Sequence, residues 1–274
     1  MSIFRNATQD DLSLILSWAA EEGWNPGLDD AAAFFAADPA GFFVATTGGA
    51  TVAAISVVNH SDDFAFLGLY IVRPAFRGQG IGYGLWQHAL VHAQDRTVGL
   101  DGVPDQQANY AASGFVLAGQ TTRYSGHPTP ERQDDILFAT PEDIPQMIEL
   151  EAYASGVRKS DYMHTWFDGG PNRRTIVANG DPGCGFCTVR KCQNGAKIGP
   201  LVADNPDTAR RLMTHAAGLF PGHTVIDVPA SSAELVRVCE DFGLSPGFDT
   251  ARMYRGPFSP PARTIYAVAT LELG

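Results

Sequence analysis

Short apolar segments alternate with amphipathic stretches along this chain, and the alternation predicts a mixed α/β fold. Apolar runs near residue 3, over 42–46 and over 51–59 have the length of strands, whereas residues 10–20 and 29–36 show helical spacing. A longer apolar run, Phe64 to Val72, precedes a helical pattern over 83–94. A strand at 97–100, a helix over 105–113 and two closing strands complete this half. The pattern predicts a mixed sheet with helices on both faces.

The second half repeats the order of the first. Thr8 and Thr140 each open an amphipathic stretch and are predicted helix caps with acidic first turns. Four segments recur in register: Ala7–Leu12 and Ala139–Ile144, Val103-Pro104 and Val228-Pro229, Gly114-Phe115 and Gly243-Leu244, and Arg123–Gly126 and Arg252–Gly256. This repetition indicates a duplication. Two domains are predicted, at 1–126 and 135–274, joined by a polar, proline-containing linker at 127–134.

A glycine-rich turn follows the apolar run that ends at Val72. Its sequence is Arg77-Gly78-Gln79-Gly80-Ile81-Gly82, and it leads into the next helical pattern. Glycines at a helix N-terminus let the backbone approach a ligand, and the unpaired N–H groups and the helix dipole favour an anion. The turn therefore predicts a diphosphate site, with Arg77 adding a full charge. The alternative is a tight strand-to-helix connection that binds nothing.

Spacing separates the common phosphate-binding loops. No Lys-Ser or Lys-Thr follows the glycines, as a nucleotide-triphosphate loop requires, and several strands precede them, unlike in a dinucleotide-binding fold. The pattern Arg77-x2-Gly80-x-Gly82, preceded by Val72-Arg73-Pro74, resembles the acetyl-CoA-binding motif of the GNAT N-acetyltransferase superfamily. The resemblance implies acetyl-CoA as co-substrate and two tandem GNAT-like acyltransferase folds.

The same resemblance assigns roles to individual residues. A splay after the fourth strand would admit the pantetheine arm beside Val72, and a backbone N–H of Tyr70 or Ile71 would form the oxyanion hole. Tyr110, four residues before Gly114-Phe115, matches the tyrosine that serves as general acid in many GNAT enzymes. The diphosphate would bind the turn residues Arg77, Gly78, Gln79, Gly80, Ile81 and Gly82.

The general base is not identified by the sequence. The segment Phe64–Val72 has no carboxylate, and His60, Asp62 and Asp63 form a polar cluster typical of a solvated turn. GNAT folds build the acceptor side from the first two helices, so the resemblance places Glu21, Glu22 and Trp24 there. The alternative role of Trp24 is to pack against its own turn.

The second half lacks these features. Its counterpart of the turn, Ile198–Asp207, carries Asp204 and Asp207 in place of the glycines and arginine, and their charge would repel a diphosphate. Cys239 stands where the first half has Tyr110. We expect a divergent second domain without its own acetyl-CoA site, fused to an active first one.

Charge and cysteine content narrow the partners. Residues 1–130 hold five arginines, no lysine and twelve acidic residues, which gives a charge of −7 out of the total of −11. This negative charge favours a cationic acceptor and disfavours nucleic acid as a partner. The alternative is that the acidic residues only keep the surface solvated. Cys184, Cys187 and Cys192 lack a fourth ligand, so no metal is expected, and buried thiols suit a reducing compartment. No signal peptide or 18-residue apolar span is found, which predicts a cytoplasmic protein without a membrane partner.

Two hypotheses follow. The first is an N-acetyltransferase that moves an acetyl group from acetyl-CoA to a primary amine of a small molecule or peptide, by direct attack in a ternary complex. The second is a module that senses acyl-CoA without turnover. A homodimer is compatible with either.

Overall fold

A computed structural model describes residues 2–259 and 265–274 of the chain. The first half forms β1 (Ile3–Asn6), α1 (Gln9–Glu21), α2 (Asp30–Ala37), β2 (Phe42–Thr47), β3 (Ala50–Asn59), β4 (Phe64–Val72), α3 (Ile81–Leu90), β5 (Thr97–Gly102), α4 (Gln107–Ala112) and β6 (Val116–Gly126). The second half forms β7 (Ile136–Phe138), α5 (Ile144–Ser155), α6 (Ser160–Asp168), β8 (Arg173–Ala178), β9 (Gly185–Lys191), β10 (Ala196–Ala203), α7 (Pro206–Leu219), β11 (Thr224–Pro229), α8 (Ala233–Asp241), β12 (Ser245–Arg255) and β13 (Ile265–Ala267).

The two predicted caps have the same geometry. The Thr8 side chain accepts a hydrogen bond from Asp11 N–H, and the Asp11 carboxylate accepts one from Thr8 N–H, which completes a capping box. Thr140 and Asp143 form the same reciprocal pair, at a short 3₁₀ turn that leads into α5. Both caps are confirmed, and their shared geometry agrees with an internal duplication.

All the described strands belong to one continuous mixed sheet. Along it the order is β1-β2-β3-β4-β5-β12-β6-β11-β10-β9-β8-β7, and β13 pairs with β10 off this path. Among the described strands, the parallel pairs are β4 with β5 and β10 with β11, one in each half. The mixed α/β architecture predicted from the sequence is therefore confirmed.

The two halves exchange a strand at the centre of the sheet. Two closing strands were expected in the first half, and this was wrong: only β6 follows α4 there, and β12 from the second half lies between β5 and β6. Reciprocally, β6 pairs with β11 of the second half. The reason is that the chain leaves Gly126 into His127-Pro128-Thr129-Pro130, which has neither a hairpin turn nor a strand-like alternation.

The hydrophobic core follows the exchange. Met253 of β12 packs in the cluster that contains Trp86 and Leu100 of the first half, and Tyr124 of β6 packs in the cluster of the second half. A further cluster joins α1 and α2 to α5 and α6, with Phe34 stacked on Trp166 at 6.3 Å between ring centroids. The halves thus form one packed body.

The predicted splay after the fourth strand is present. β4 pairs with β5 only over Phe64–Leu67, opposite Thr97–Leu100, and from there to Val72 it pairs with β3 alone. The edge of β4 that faces away from β3 is left open there. Among the described helices, none combines the length and the hydropathy needed to cross a bilayer.

Candidate active site

A cleft of about 590 Å³ opens where β4 and β5 diverge. The glycine-rich turn and the start of α3 form one part of its lining, and residues of the second half form another. The lining residues used below are Glu22, Trp24, Gly68, Tyr70, Ile71, Val72, Arg77, Gly78, Gly80, Ile81, Gly82, Tyr110, Arg123, Phe248, Thr250, Leu271 and Glu272.

The open edge of β4 is shaped by a bulge. Leu69 has a φ of 47°, and the pairing with β3 shifts by one residue between Gly68 and Ile71. Arg73 N–H donates to Val52 O, so the alternation of an antiparallel ladder directs the N–H of Ile71 back to β3 and that of Val72 towards the cleft. Tyr70 lies in the bulge, outside the paired register. Between the two predicted oxyanion donors, the ladder thus leaves Tyr70 the better placed.

The glycine-rich turn presents unoccupied backbone groups to the cleft. Gly78 and Gly80 have φ values of 74° and 76°, and a Cβ built at either position would have no protein atom within 4 Å. Gly80 is the N-cap of α3, where no side chain caps the first N–H groups and no acid lies in the first turn. These groups and the helix dipole are therefore available to an anion.

Arg77 is held at the mouth of the cleft. Its Nη2 donates to Glu22 Oε1 at 2.6 Å, and its Nε donates to Val72 O at 2.8 Å. Gln79 is the one predicted cofactor residue that does not line the cleft, and its amide donates instead to Ala75 O. The other predicted cofactor residues are brought together on one side.

Tyr110 lies deeper in the cleft and is 8% exposed. Its ring stacks on Trp86, with centroids 5.5 Å apart, and packs against Gly102, where a Cβ would lie 2.8 Å from the Tyr110 ring. Burial, with a smaller effect of Tyr70, raises the pKa of Tyr110 to about 12. Its phenol therefore keeps its proton at neutral pH.

The residues predicted for the acceptor side are only partly brought together. Glu22 and Trp24 line the cleft, but Glu21 does not, because its exposed carboxylate pairs with Arg73 outside it. His60 lies elsewhere and is half-buried, with Nε2 2.8 Å from Leu273 O, and desolvation lowers its pKa to about 3. Asp62 and Asp63 lie outside the cleft as well.

The second half contributes directly to the lining of this cleft. Phe248 and Thr250 come from the exchanged strand β12, and Leu271 and Glu272 come from the C-terminal tail, residues 265–274. Arg123 of β6 also lines the cleft and forms a two-point ion pair with Asp227, at 2.7 and 2.9 Å. None of these was predicted. The one available sequence feature was Gly68, an isolated glycine in an apolar strand, which is typical of a close backbone approach.

Comparisons with known proteins agree with this geometry. The profile described as "Acetyltransferase (GNAT) family" matches residues 9–115, and that described as "Acetyltransferase (GNAT) domain" matches residues 147–267. The holothin acyltransferase of Pseudoalteromonas sp. (strain SANK 73390) is 32% identical over 273 residues, which cover 98% of this chain and 93% of the relative. The chain belongs to the GNAT acyltransferase family.

Solved structures with the GNAT fold extend over both halves. A putative acetyltransferase from Pyrococcus horikoshii has a TM-score of 0.84 at 23% identity, covering 100% of this chain and 96% of that one. A tandem GNAT protein from the clavulanic acid biosynthesis pathway has a TM-score of 0.64 at 19% identity, covering 94% of this chain and all of the other. The predicted tandem GNAT architecture is confirmed.

In the second GNAT-like half, the position equivalent to the cleft is filled by the chain itself. β10 pairs with β11 only over Ala196–Ile198, as β4 does with β5, but the following residues 201–203 pair with β13. The N-terminus of α7 is also capped, since the Asn205 side chain accepts from Thr208 N–H. Strand β13 thus pairs with the backbone of β10, and the Asn205 side chain caps α7, whereas the equivalent backbone groups of β4 and α3 remain open.

The cysteines are dispersed in the second half. Cys187, Cys192 and Cys239 are buried, and burial raises the pKa of the Cys239 thiol to about 12. Within the described residues, no group of three or more His, Cys, Asp or Glu side chains is arranged to hold a metal ion.

Proposed function

We propose that the first-half cleft transfers an acetyl group from acetyl-CoA to a primary amine, with both substrates bound together. The observation that carries the proposal is one cleft that combines an open β4 edge, an uncapped helix N-terminus behind a glycine turn, and a buried protonated phenol. A sensor would need the first two features but would have no use for the third.

The residues present fit acetyl-CoA. The backbone at Gly78 and Gly80 is open, and the N–H groups of 78–82 with Arg77 would hold the diphosphate. Val72 directs its N–H to the open edge and would pair with the pantetheine arm. Bound acetyl-CoA supplies the activated acetyl group. Tyr70 N–H would stabilise negative charge on the carbonyl oxygen, and Tyr110 would give its proton to the leaving sulfur.

The acceptor side suits a primary amine on an apolar body. Trp24, Phe248 and Leu271 supply apolar surface, and Glu272 supplies negative charge, whereas the charge of Glu22 is paired with Arg77. The relative named holothin acyltransferase makes holothin a reasonable member of a test panel. The unpaired, buried thiols support a reducing compartment such as the cytoplasm.

The test is an amine panel with detection of free CoA. Purified protein is supplied with acetyl-CoA and with alkyl amines, aromatic amines, peptides that carry a free N-terminus or lysine, and holothin. We expect CoA release that depends on the amine. Acetyl-CoA binding by calorimetry, without release for any member of the panel, would instead favour the sensor.

A further inference from the structure

The C-terminal tail crosses from the second half into the first-half cleft and is fixed along its length. Arg190 Nη1 donates to Ala269 O at 2.7 Å, and the His60 ring donates to Leu273 O at 2.8 Å. Lys159 Nζ, itself paired with the buried Glu151, donates to Gly274 O at 2.7 Å. Residues of both halves therefore hold the tail.

Gly68 and Glu272 are in close backbone contact. A Cβ on Gly68 would collide with the carbonyl oxygen of Glu272, so this glycine is what lets the tail pack against the face of β4. The contact sits at the bulge where β4 leaves β5, and Glu272 lines the same cleft as Tyr70. The chain thus delivers a carboxylate to a strand that has none of its own.

The Glu272 carboxylate has no partner among the described residues. Glu272 is 4% exposed, none of the hydrogen bonds or ion pairs among the described residues includes its side chain, and its Oε2 is buried without a donor. A buried, unpaired carboxylate is unfavourable, so such a group in a cleft indicates a ligand that supplies the missing donor.

The neighbouring cations do not fill that role. Arg123 and Lys197 are close enough for charge attraction: Glu272 adds to the effect of Asp227 in raising the pKa of Arg123, and it opposes the lowering of the Lys197 pKa by burial. Arg123 is committed to Asp227, however, and Lys197 Nζ donates to Trp24 O at 2.6 Å. A third cation close to Glu272 is Arg190, whose Nε lies 3.4 Å from Asp30 Oδ2. None of these cations donates a hydrogen bond to Glu272 within the described residues, and the cleft that Glu272 lines gives a donor from an acceptor amine access to it.

We propose that Glu272 receives the acceptor amine and takes its proton, so that the C-terminal tail supplies the general base of the first-half site. This inference rests on the proposed acetyl transfer. It assigns the second half a catalytic contribution to the reaction.

The protons and bonds balance without a further reactant. Glu272 takes one proton from the ammonium group and later releases it to solvent. The neutral nitrogen forms a bond to the acetyl carbon, and the carbon–sulfur bond breaks. Tyr110 gives a proton to the sulfur, and the second proton lost from the nitrogen restores the phenol through water. Acetylation of an ammonium group thus releases one proton overall.

The test compares three variants with the unmodified protein. Glu272→Gln keeps the shape of the side chain and removes its charge, Glu272→Asp keeps a carboxylate on a shorter stem, and Glu234→Gln is a matched control on the exposed face of α8. We measure kcat and KM for panel amines that are protonated and neutral at the assay pH. Calorimetry gives the acetyl-CoA affinity and the amine affinity of the protein without acetyl-CoA.

For Glu272→Gln we expect kcat/KM to fall about 100-fold or more with protonated amines, the size of a general-base contribution, and much less with neutral ones. Amine binding weakens, acetyl-CoA binding and the melting temperature stay unchanged, and Glu272→Asp recovers part of the activity. An equal loss for both kinds of amine, no loss, or a matching loss of acetyl-CoA affinity would overturn the proposal. If the unmodified protein binds acetyl-CoA but acetylates nothing, the proposed function itself fails.

Discussion

At the scale of single residues, burial raises the pKa of the Tyr110 phenol to about 12. A pKa near 12 leaves almost no phenolate at neutral pH, which suits a proton donor to a thiolate. The stack on Trp86 fixes the ring even without its hydroxyl, because the contact uses only the ring faces. The role of the hydroxyl can therefore be separated from that of the ring.

Replacing Tyr110 with Phe should slow turnover and leave cofactor binding intact. We expect kcat to fall about 100-fold, within the usual range for one acid–base group, while the acetyl-CoA Kd changes less than about threefold. Steady-state kinetics and calorimetry measure the two quantities. Tyr153→Phe, at an exposed tyrosine of α5, is the control. An unchanged kcat for Tyr110→Phe would remove the hydroxyl from the mechanism.

His60 should make the fold sensitive to acid. Its pKa is about 3 in the folded chain and about 6.5 when unfolded, so the unfolded state alone binds this proton between these pH values. The stability that His60 contributes is complete above pH 6.5 and falls as pH drops, by up to about 1.4 kcal/mol per pH unit. In His60→Gln, whose amide can still donate to Leu273 O, urea unfolding between pH 4 and 6.5 should depend less on pH.

The matched control for this prediction is His164→Gln, at an exposed position of α6. Because the His164 side chain is exposed, its removal should leave the unfolding curve at each pH close to that of the unmodified protein. If the pH dependence of His60→Gln equals that of His164→Gln, His60 is not the residue that couples acid to unfolding.

At the scale of elements, the fit between the tail and β4 depends on Gly68. In Gly68→Ala the added methyl meets backbone of Glu272, which cannot rotate away, so the tail must shift. We expect a loss of about 1–3 kcal/mol in unfolding free energy and at least a tenfold lower kcat/KM. The control Gly119→Ala, on β6, adds its methyl to open space. Equal activities of the two variants would show that tail placement does not matter.

Features that depend on neighbouring residues could be predicted from the sequence. The caps at Thr8 and Thr140 and the turn at Gly78 and Gly80 depend on neighbouring residues, so their spacing reveals them. The position of Glu272 depends on contacts with residues far away in the sequence. No periodicity in the sequence encodes such contacts. The sequence therefore predicted Glu22 and Trp24 in the cleft but not Glu272.

At the scale of the whole molecule, the exchange of β6 and β12 explains why one cleft is lined by both halves. β12 completes the sheet beside β5 and at the same time brings Phe248 and Thr250 to the cleft. The C-terminal tail likewise contacts both halves. Its strand β13 pairs with β10 in the second half, and Glu272, further along the chain, contacts Gly68 in the first half. The same segment therefore fills the cleft position of the second GNAT-like half and contributes Glu272 to the cleft of the first half.

This arrangement predicts one acetyl-CoA per chain. Calorimetry on the full chain should give a single site, and Arg77→Gln should weaken it about 10- to 100-fold, the usual worth of a charged hydrogen bond. Arg210→Gln, at an exposed position of α7 near the equivalent turn, should have no effect. Two bound molecules per chain would mean that β13 leaves β10 when the ligand binds. If the chain has a single site whose acetyl-CoA affinity Arg77→Gln leaves unchanged, the diphosphate does not bind at the glycine-rich turn.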